Sequence, residues 1–297
     1  MKTKIFITFL FTAVSTLSTM SQNEKKFDYE FLGVLLLSKS QLYSYKLEFN
    51  MYKDSIKGYS YTDLTGPHET KSYIYGTYSK RTNEIEFEEK DVLYTKSNVS
   101  TDEFCFITSK GYLKLKSRKN SFDGSFTGKY SDGEVCAEGK VRLVGRKFIE
   151  KKLKKVYKKI KKKKRIDSIT KEKVAPDRVL KKFGKTSLSE NENITIYMNA
   201  KQVKLEIWDY GKEDGDIIDV YMSDKKIISN LKVQRKKKKL LLNLKKGNNV
   251  IKIKTINAGT IKTNTAKIKI YNKSRFYELT SDISVDKSAQ INIFVKE

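Results

Sequence analysis

Histidine and cysteine are nearly absent from this chain of 297 residues, which has one histidine, His68, and two cysteines. A zinc site needs three or four nitrogen or sulfur ligands, and no serine in a nucleophile-elbow sequence accompanies His68. We therefore expect a protein that is not an enzyme. The alternative is a glycoside hydrolase built on carboxylates alone. Glu84, Glu86 and Glu88 alternate with apolar residues, however, which is typical of a strand face in water.

Long apolar runs are also missing, except near the N-terminus. Residues 1–21 contain Lys2 and Lys4, then an apolar run over residues 5–14, then small residues up to Ser21. This is the pattern of a secretory signal peptide cleaved after Ser21, and the run is shorter than the roughly 20 residues that span a bilayer. We expect an exported protein, periplasmic or extracellular, with no transmembrane segment in the mature chain.

Export changes the interpretation of the two cysteines, because an oxidising compartment favours disulfides. We expect Cys105 and Cys136 to pair, with both sulfurs on the outer face of one sheet. Such a bridge would contribute about 3 to 4 kcal/mol. Two free thiols are the alternative.

Arginine is scarce although the formal net charge is +27, since only 8 of the 62 basic residues are arginine. Specific contacts to bases and phosphates depend strongly on the planar fork of arginine. We therefore expect no nucleic-acid partner.

Alternation of apolar and polar residues dominates residues 22–145 and predicts an antiparallel β domain, a barrel or a sandwich. In the clearest strand, residues 43–50, the odd positions are aromatic or leucine and the even positions are polar. One face should therefore be buried and the other wet. About eight strands are expected, including separate ones at 103–108 and 112–116.

Residues 146–187 break this pattern and predict a basic amphipathic helix, reaching to about residue 175, followed by a connector. Ile149, Leu153, Val156 and Ile160 recur at helical spacing. The basic residues predicted to bind an anionic surface are Lys151, Lys152, Lys154, Lys155, Lys158, Lys159, Lys161, Lys162, Lys163, Lys164 and Arg165. Anionic lipid, lipopolysaccharide or an acidic glycan would suit them. The alternative is a stripe packed on a β domain with solvated lysines.

Strand patterns return in residues 188–297, where seven segments predict an immunoglobulin-like β-sandwich. The predicted class is therefore all-β, with two β domains joined by the basic helix.

Four carboxylates fall in one glycine-containing turn of this second domain, at Asp209, Glu213, Asp214 and Asp216. Calcium takes several carboxylate and carbonyl oxygens, so calcium is the candidate cofactor, although the spacing is not that of an EF-hand. The alternative is a polar turn whose aspartates accept backbone N–H groups.

The same turn lies in the string WDYGKEDGDIIDV, which is followed by INAGTIKTNTAKIKI. Together they resemble a small β-sandwich module at the C-termini of exported Bacteroidetes-type proteins, which typically reads WD, then EDGD or DGD, then an N-x-G and NTA pair. Asn257, Gly259 and Asn264 occupy the second motif. Between the two motifs the module has a hairpin that usually carries Asn-Gly, and here Asp224 stands at that place. The first domain also looks like uncharacterised flavobacterial exported proteins. The resemblance covers residues 190–297 and implies a fold but no activity.

Tyrosines on neighbouring predicted strands form a candidate ligand face. They are Tyr43, Tyr45, Tyr59, Tyr61, Tyr73 and Tyr75. Core packing is the alternative explanation.

The sequence thus predicts an exported, non-catalytic binding or scaffold protein that associates with anionic envelope surfaces through its lysine-rich helix. A small-ligand carrier that uses a tyrosine-lined barrel is the alternative.

Overall fold

The protein is mostly β-sheet, and its strands divide between a closed barrel and a two-sheet sandwich. The computed structural model describes residues 27–37, 41–116, 119–184, 186–210, 213–259, 263–273 and 275–296. The predicted signal peptide, residues 1–21, lies outside the described residues. Among the described residues, no helix combines the length and the apolar character needed to cross a bilayer.

The barrel has eight antiparallel strands, each paired with the next along the chain, and β8 pairs back with β1. This up-and-down closure joins neighbours in sequence throughout. The strands are β1 (Tyr29–Leu37), β2 (Leu42–Tyr52), β3 (Ser55–Thr62), β4 (Thr70–Ser79), β5 (Glu84–Thr95), β6 (Phe106–Leu115), β7 (Asn120–Lys129) and β8 (Val135–Gly145).

The interior of the barrel is a packed apolar core. Alternate residues of β2, namely Tyr45, Leu47 and Phe49, are fully buried and pack with Ile56 and Ile74 of the next two strands. Eight strands enclose just enough space for side chains to fill.

Two features of the barrel differ from the sequence prediction. β6 is one strand rather than two, because Gly111 continues it: a β-carbon there would come within 2.4 Å of Asp123 O on β7, so only glycine allows the strands to approach this closely. The outer face of β2, expected to be wet, is also buried, since Lys46 and Glu48 are only 5% and 6% exposed. Residues of the sandwich and of the connector cover it.

The connector contains three helices, α1 (Arg146–Lys161), α2 (Ser168–Lys173) and α3 (Pro176–Lys182). The prediction of one helix to residue 175 is therefore wrong in its extent. Asp167 begins a new helix, because its carboxylate caps the Thr170 amide at 2.8 Å, and Pro176 starts the third.

Two sheets form the C-terminal sandwich. One has the order β13-β12-β15-β19-β10, and the other has the order β14-β11-β17-β18-β16, with β9 added beside β18. The strands are β9 (Thr186–Ser189), β10 (Asn193–Met198), β11 (Gln202–Asp209), β12 (Asp216–Met222), β13 (Lys225–Lys232), β14 (Lys238–Asn243), β15 (Gly247–Ala258), β16 (Thr263–Asn264), β17 (Ala266–Tyr271), β18 (Phe276–Ser284) and β19 (Ser288–Val295). The prediction of seven strands omitted β9, β13, β16 and β18. β18 escaped detection because the buried Ser281 interrupts its apolar alternation.

Strand β5 belongs to both halves of the molecule. Its first part, from Glu84 to Glu88, pairs with β6 and completes the barrel, whereas Tyr94 and Thr95 pair with β10 of the sandwich. Register shifts between β4 and β5 accompany this departure from the barrel. One continuous sheet therefore runs from the barrel into the sandwich.

Glu89 fills the gap where β5 leaves β6. The backbone pairing of the two strands ends one residue earlier, and the Ile107 amide of β6 donates instead to the Glu89 carboxylate at 3.1 Å. The other carboxylate oxygen accepts from the hydroxyls of Tyr45 at 3.0 Å and Ser60 at 2.5 Å. Burial raises the pKa of Glu89 above its ordinary value, although these three hydrogen bonds oppose the rise.

Cys105 and Cys136 form a disulfide, as predicted. A β-bulge leaves Cys136 as an extra residue, since Gly128 pairs with Ala137 and the next residue of β7 pairs beyond Cys136. The bulge interrupts the alternation that placed both sulfurs on the outer face. They lie instead over Gly128, on the side of β7 to which Phe126 points, where a β-carbon would be 2.4 Å from Cys105 Sγ.

Substitution of Glu89 by alanine should lower the free energy of unfolding by about 2 to 4 kcal/mol. The change leaves two buried hydroxyls and one buried amide without their acceptor, and it opens a cavity. Glu88→Ala is the matched control, because this neighbour pairs with Lys90 in water at 2.8 Å and should cost less than about 0.5 kcal/mol. Denaturant unfolding measures both, and equal losses would contradict the role given to Glu89.

Removal of the disulfide should also destabilise the protein. The bridge closes a loop of 31 residues, for which the chain-entropy relation gives about 3 to 4 kcal/mol. We expect this loss in unfolding experiments on the double variant Cys105→Ala, Cys136→Ala and on reduced wild-type protein. An unchanged midpoint in both would show that the bridge does not constrain the unfolded chain.

Candidate functional site

Helix α1 lies on the surface and carries most of the basic residues predicted to bind an anionic partner. None of its residues is fully buried. It contacts β1, β8, α2 and α3, and Arg146 in its first turn pairs with Glu30 of β1 at 2.6 Å. Three of the four predicted stripe residues are half-buried, and Val156 is exposed. The stripe is therefore only partly covered by the protein.

The exposed side of α1 is strongly cationic. Nine of its 16 residues are lysine or arginine and one, Glu150, is acidic. All eleven basic residues predicted to bind an anionic surface, from Lys151 to Arg165, are exposed. Five lysines of α1 line one shallow groove together with Glu150, and we call them the lysine face. They are Lys147, Lys151, Lys154, Lys155 and Lys158. Lys154 forms an ion pair with Glu150.

The predicted calcium ligands are not all brought together. Asp209 ends β11 and Asp216 begins β12, and both are buried, at 3% and 1% exposure. Glu213, in contrast, is exposed and accepts from the Arg235 amide at 2.6 Å. Residues 211–212 of the turn lie outside the described part of the chain. Within that part, no group of three acidic, histidine or cysteine side chains is placed to hold a metal ion. Calcium binding here stays a prediction.

Three of these carboxylates still influence one another. Burial raises the pKa of Asp216 to about 6, and the charges of Asp214 and Asp209 add to the rise. The Thr265 amide, which donates to Asp216 at 3.1 Å, opposes it. The carboxylates of Asp209, Asp214 and Asp216 therefore repel one another in a turn that is mostly buried.

The two strings that carry the resemblance meet at this turn. Thr265 of the second string donates to Asp216 of the first. Gly259 has φ of +54° and lies so close to Asp214 that a β-carbon would be 2.5 Å from its carbonyl oxygen. The fully buried Asn264 accepts from a hydroxyl at 2.8 Å and an amide at 3.0 Å. Both strings therefore contribute to one structural junction.

The six tyrosines of the predicted ligand face are divided between the two sides of the barrel wall. Tyr45 points into the core and donates to Glu89. Tyr43 lies on the same side of β2 but is exposed at the end of the barrel. The others, Tyr59, Tyr61, Tyr73 and Tyr75, alternate with core residues and lie on the outer face. The set does not line the barrel interior.

Three of the outer tyrosines, Tyr59, Tyr61 and Tyr73, line a cleft between the barrel and the sandwich, which has a volume of about 290 Å³. Cross-strand neighbours on β2, β3 and β4 form two rows, Lys46-Tyr61-Lys71 and Glu48-Tyr59-Tyr73. The opposite wall includes Lys267 of β17, Glu278 of β18 and Arg275, the residue just before β18.

Glu48 is the centre of a buried ionic network in this cleft. Lys46 Nζ lies 2.5 Å from one carboxylate oxygen, and the Tyr61 hydroxyl donates to the other at 2.6 Å. Lys71 Nζ is farther away, at 4.0 Å. Burial alone would raise the pKa of Glu48, but Lys46 and Lys71 outweigh it and hold that pKa below its ordinary value. Burial lowers the pKa of Lys71 to about 8.

Cations cover the faces of the tyrosine rings. Lys71 Nζ lies 4.1 Å from the ring centre of Tyr59 and 4.7 Å from that of Tyr61. Arg275, on the sandwich side, lies 5.2 Å from the ring centre of Tyr73. These are cation–π distances, so the cleft presents positive charge more than bare aromatic surface.

Sequence reasoning missed the lysines and the glutamate of the cleft. Lys46 and Glu48 alternate with apolar residues and so look like a strand face in water, and Lys71 stands between Thr70 and Ser72 in a polar stretch. The residues that cover them lie about 200 positions later in the chain, and no local pattern signals that coverage.

The carboxylates considered for a hydrolase lie on the outside of the barrel. Glu86 and Glu88 form surface ion pairs with Lys110 at 3.8 Å and Lys90 at 2.8 Å. Glu86 is exposed and Glu88 is half-buried, and water still reaches both side chains and screens their charges. This matches the wet face expected for this part of β5.

Comparison with known protein families, with curated protein sequences and with solved structures finds no match to this chain. The resemblance of residues 190–297 to an exported β-sandwich module therefore stays a prediction.

Gly259→Ala should destabilise the protein more than Gly133→Ala, because Gly133 also has a positive φ, +93° against +54°, but lies in open space. Both Gly259 and Gly133 have positive φ, but nothing lies within 4 Å of a β-carbon at Gly133. Gly133→Ala should therefore show only the backbone strain of about 1 kcal/mol, and Gly259→Ala should lose a further 1 to 3 kcal/mol, approximately, through overpacking against Asp214. Thermal unfolding measures the difference, and equal losses would contradict the close contact between Gly259 and Asp214.

Proposed function

We propose that this protein is an exported, non-catalytic binding protein that associates with anionic bilayers through the lysine face of α1. The observation that carries the proposal is that this face is exposed and almost entirely of one charge. The helix that bears it is attached to the barrel at its first turn through Arg146 and Glu30.

Export is supported by the disulfide together with the predicted signal peptide. Disulfides form and persist mainly in oxidising compartments, and Cys105 and Cys136 are joined in one.

An anionic surface would relieve a strain that the helix carries alone. Lysines four residues apart, such as Lys147 and Lys151 or Lys151 and Lys155, repel each other by a few tenths of a kcal/mol per pair. Lipid phosphates would neutralise these charges, and each lysine near an anionic membrane contributes about 1 kcal/mol. The charge pattern therefore favours a broad anionic surface over a single small anion.

The binding should depend on charge and not on insertion of α1 into the bilayer. An interfacial helix inserts its apolar side into the bilayer, but three of the four stripe residues of α1 are already half-buried against the protein. The lysines would thus meet lipid headgroups while the stripe stays on the protein.

The test is co-sedimentation of the protein lacking residues 1–21 with phosphatidylglycerol-containing vesicles and with neutral vesicles. We expect binding to anionic vesicles only, and its loss at roughly 0.5 M salt, where the screening length falls to about 4 Å. The triple variant Lys151→Glu, Lys155→Glu, Lys158→Glu should bind at least a hundredfold more weakly, approximately, because each lysine contributes about 1 kcal/mol.

The matched control is a triple variant that changes the total charge by the same amount at a distance from α1. It carries Lys225→Glu, Lys232→Glu and Lys238→Glu, at exposed positions of β13 and β14. It should retain most of the binding. Equal loss in both variants would show that overall charge, not α1, is responsible. Binding to lipopolysaccharide or to an acidic polysaccharide without binding to the vesicles would overturn the choice of the bilayer as partner.

A further inference from the structure

We propose that the cleft between the barrel and the sandwich binds a small polyhydroxylated carboxylate, of the class of the hexuronic acids, whose carboxylate pairs with Lys71. This site is separate from the lysine face and does not depend on the function proposed for it.

The charges lining the cleft leave room for one negative charge. Five cationic side chains face four carboxylates, a formal excess of one positive charge. The cations are Lys46, Lys71, Arg146, Lys267 and Arg275, and the carboxylates are Glu30, Glu48, Glu69 and Glu278. A monoanion would balance this set, whereas a phosphate dianion would exceed it.

Among the five cations of the cleft, Lys71 has the longest ion-pair distance, 4.0 Å, against 3.8 Å for Arg275, which pairs with Asp91. Arg146 pairs with Glu30 at 2.6 Å and Lys267 pairs with Glu278. For Lys71, the only carboxylate of the described residues within 4.0 Å is Glu48, which is at that limit and is already bonded to Lys46 and Tyr61. A buried ammonium without a close counter-ion is costly, and a bound carboxylate would offset that cost.

The Lys71 side chain is still reachable. It retains 19% of its exposed surface, and it lines the cleft rather than a closed cavity. Its pKa of about 8, lowered by burial, leaves it largely protonated at neutral pH. It can therefore meet a ligand as a cation.

The rest of the lining suits hydroxyl groups more than an apolar ligand. Tyr59, Tyr73 and Thr186 line the cleft. The hydroxyls of Tyr59 and Tyr73 bond to each other and that of Thr186 bonds to the Tyr94 hydroxyl at 2.6 Å, and a hydroxyl that makes one hydrogen bond can still make another. The ring faces of Tyr59 and Tyr61 are covered by Lys71, so a neutral sugar would find little free aromatic surface for stacking. A volume of about 290 Å³ is at the small end for ligand pockets and fits one sugar unit.

The test is calorimetric titration of the protein with three probes that share one sugar ring and differ at carbon 6: glucuronate, glucose and glucose 6-phosphate. We expect glucuronate to bind, and glucose to bind at least tenfold more weakly because it lacks the carboxylate. Glucose 6-phosphate should also bind more weakly than glucuronate. Absence of glucuronate binding up to about 10 mM, which would mean less than about 3 kcal/mol of affinity, would overturn the proposal, as would equal binding of glucose.

Lys71→Met should weaken glucuronate binding at least tenfold, because it keeps the aliphatic length and removes the charge. The matched control is Lys57→Met, which removes another lysine from the outer face of β3, near Tyr75 but outside the cleft. Circular dichroism confirms that both variants fold. Undiminished binding by Lys71→Met would overturn the assignment of Lys71.

A second measurement avoids substitution. Lysines of the wild-type protein are acetylated with a low dose of an activated ester, and the modified positions are identified by peptide mass spectrometry. Glucuronate should slow the modification of Lys71 and leave that of Lys57 unchanged. Equal protection of both, or of neither, would contradict a carboxylate bound at Lys71.

Discussion

The division of strand β5 between two partners is the constraint on which the rest of the structure depends. A barrel needs β5 to pair with β6, and the sandwich needs the end of the same strand to pair with β10. Where β5 leaves the barrel, a β6 amide would lose its acceptor inside an apolar core, and the Glu89 carboxylate supplies that acceptor. A buried polar group is tolerated when its hydrogen bonds are satisfied, and here the buried carboxyl group of Glu89 makes the branching of the sheet possible.

The continuous sheet also explains why charged residues of the barrel wall are buried. Because β10 extends the sheet from β5, the sandwich packs its β18 against the outer faces of β2, β3 and β4. Lys46, Glu48 and Lys71 then lose most of their water and pair among themselves and with tyrosines. Replacing a buried ion network by apolar residues is often neutral for stability. Retention of such a network is therefore consistent with recognition rather than with packing alone.

The sequence was sufficient for the class of fold, for the basic helix and for the disulfide, because each depends on local alternation or on compartment chemistry. It was insufficient where long-range packing decides. Gly111 has the local sequence of a turn, yet it continues a strand because Gly124 faces it across β6 and β7. Glu48 has the pattern of a wet residue, but β18 covers it. Glu89, the residue that permits the branching, carries no local signal that separates it from Glu86 or Glu88.

The order of strand pairing has a consequence for how the protein matures. Every barrel strand pairs with its sequence neighbour except where β8 meets β1, whereas β10 lies beside β19, as in the pair Asn193 and Gln290. Contacts between distant residues form late, so we expect the barrel to close while the sandwich is still incomplete. Until the last strand arrives, β10, which pairs with the end of β5 on one side, has an unpaired edge on the other, and such edges recruit other chains. The newly made protein thus passes through a stage in which prompt completion of the C-terminal strand protects it from self-association.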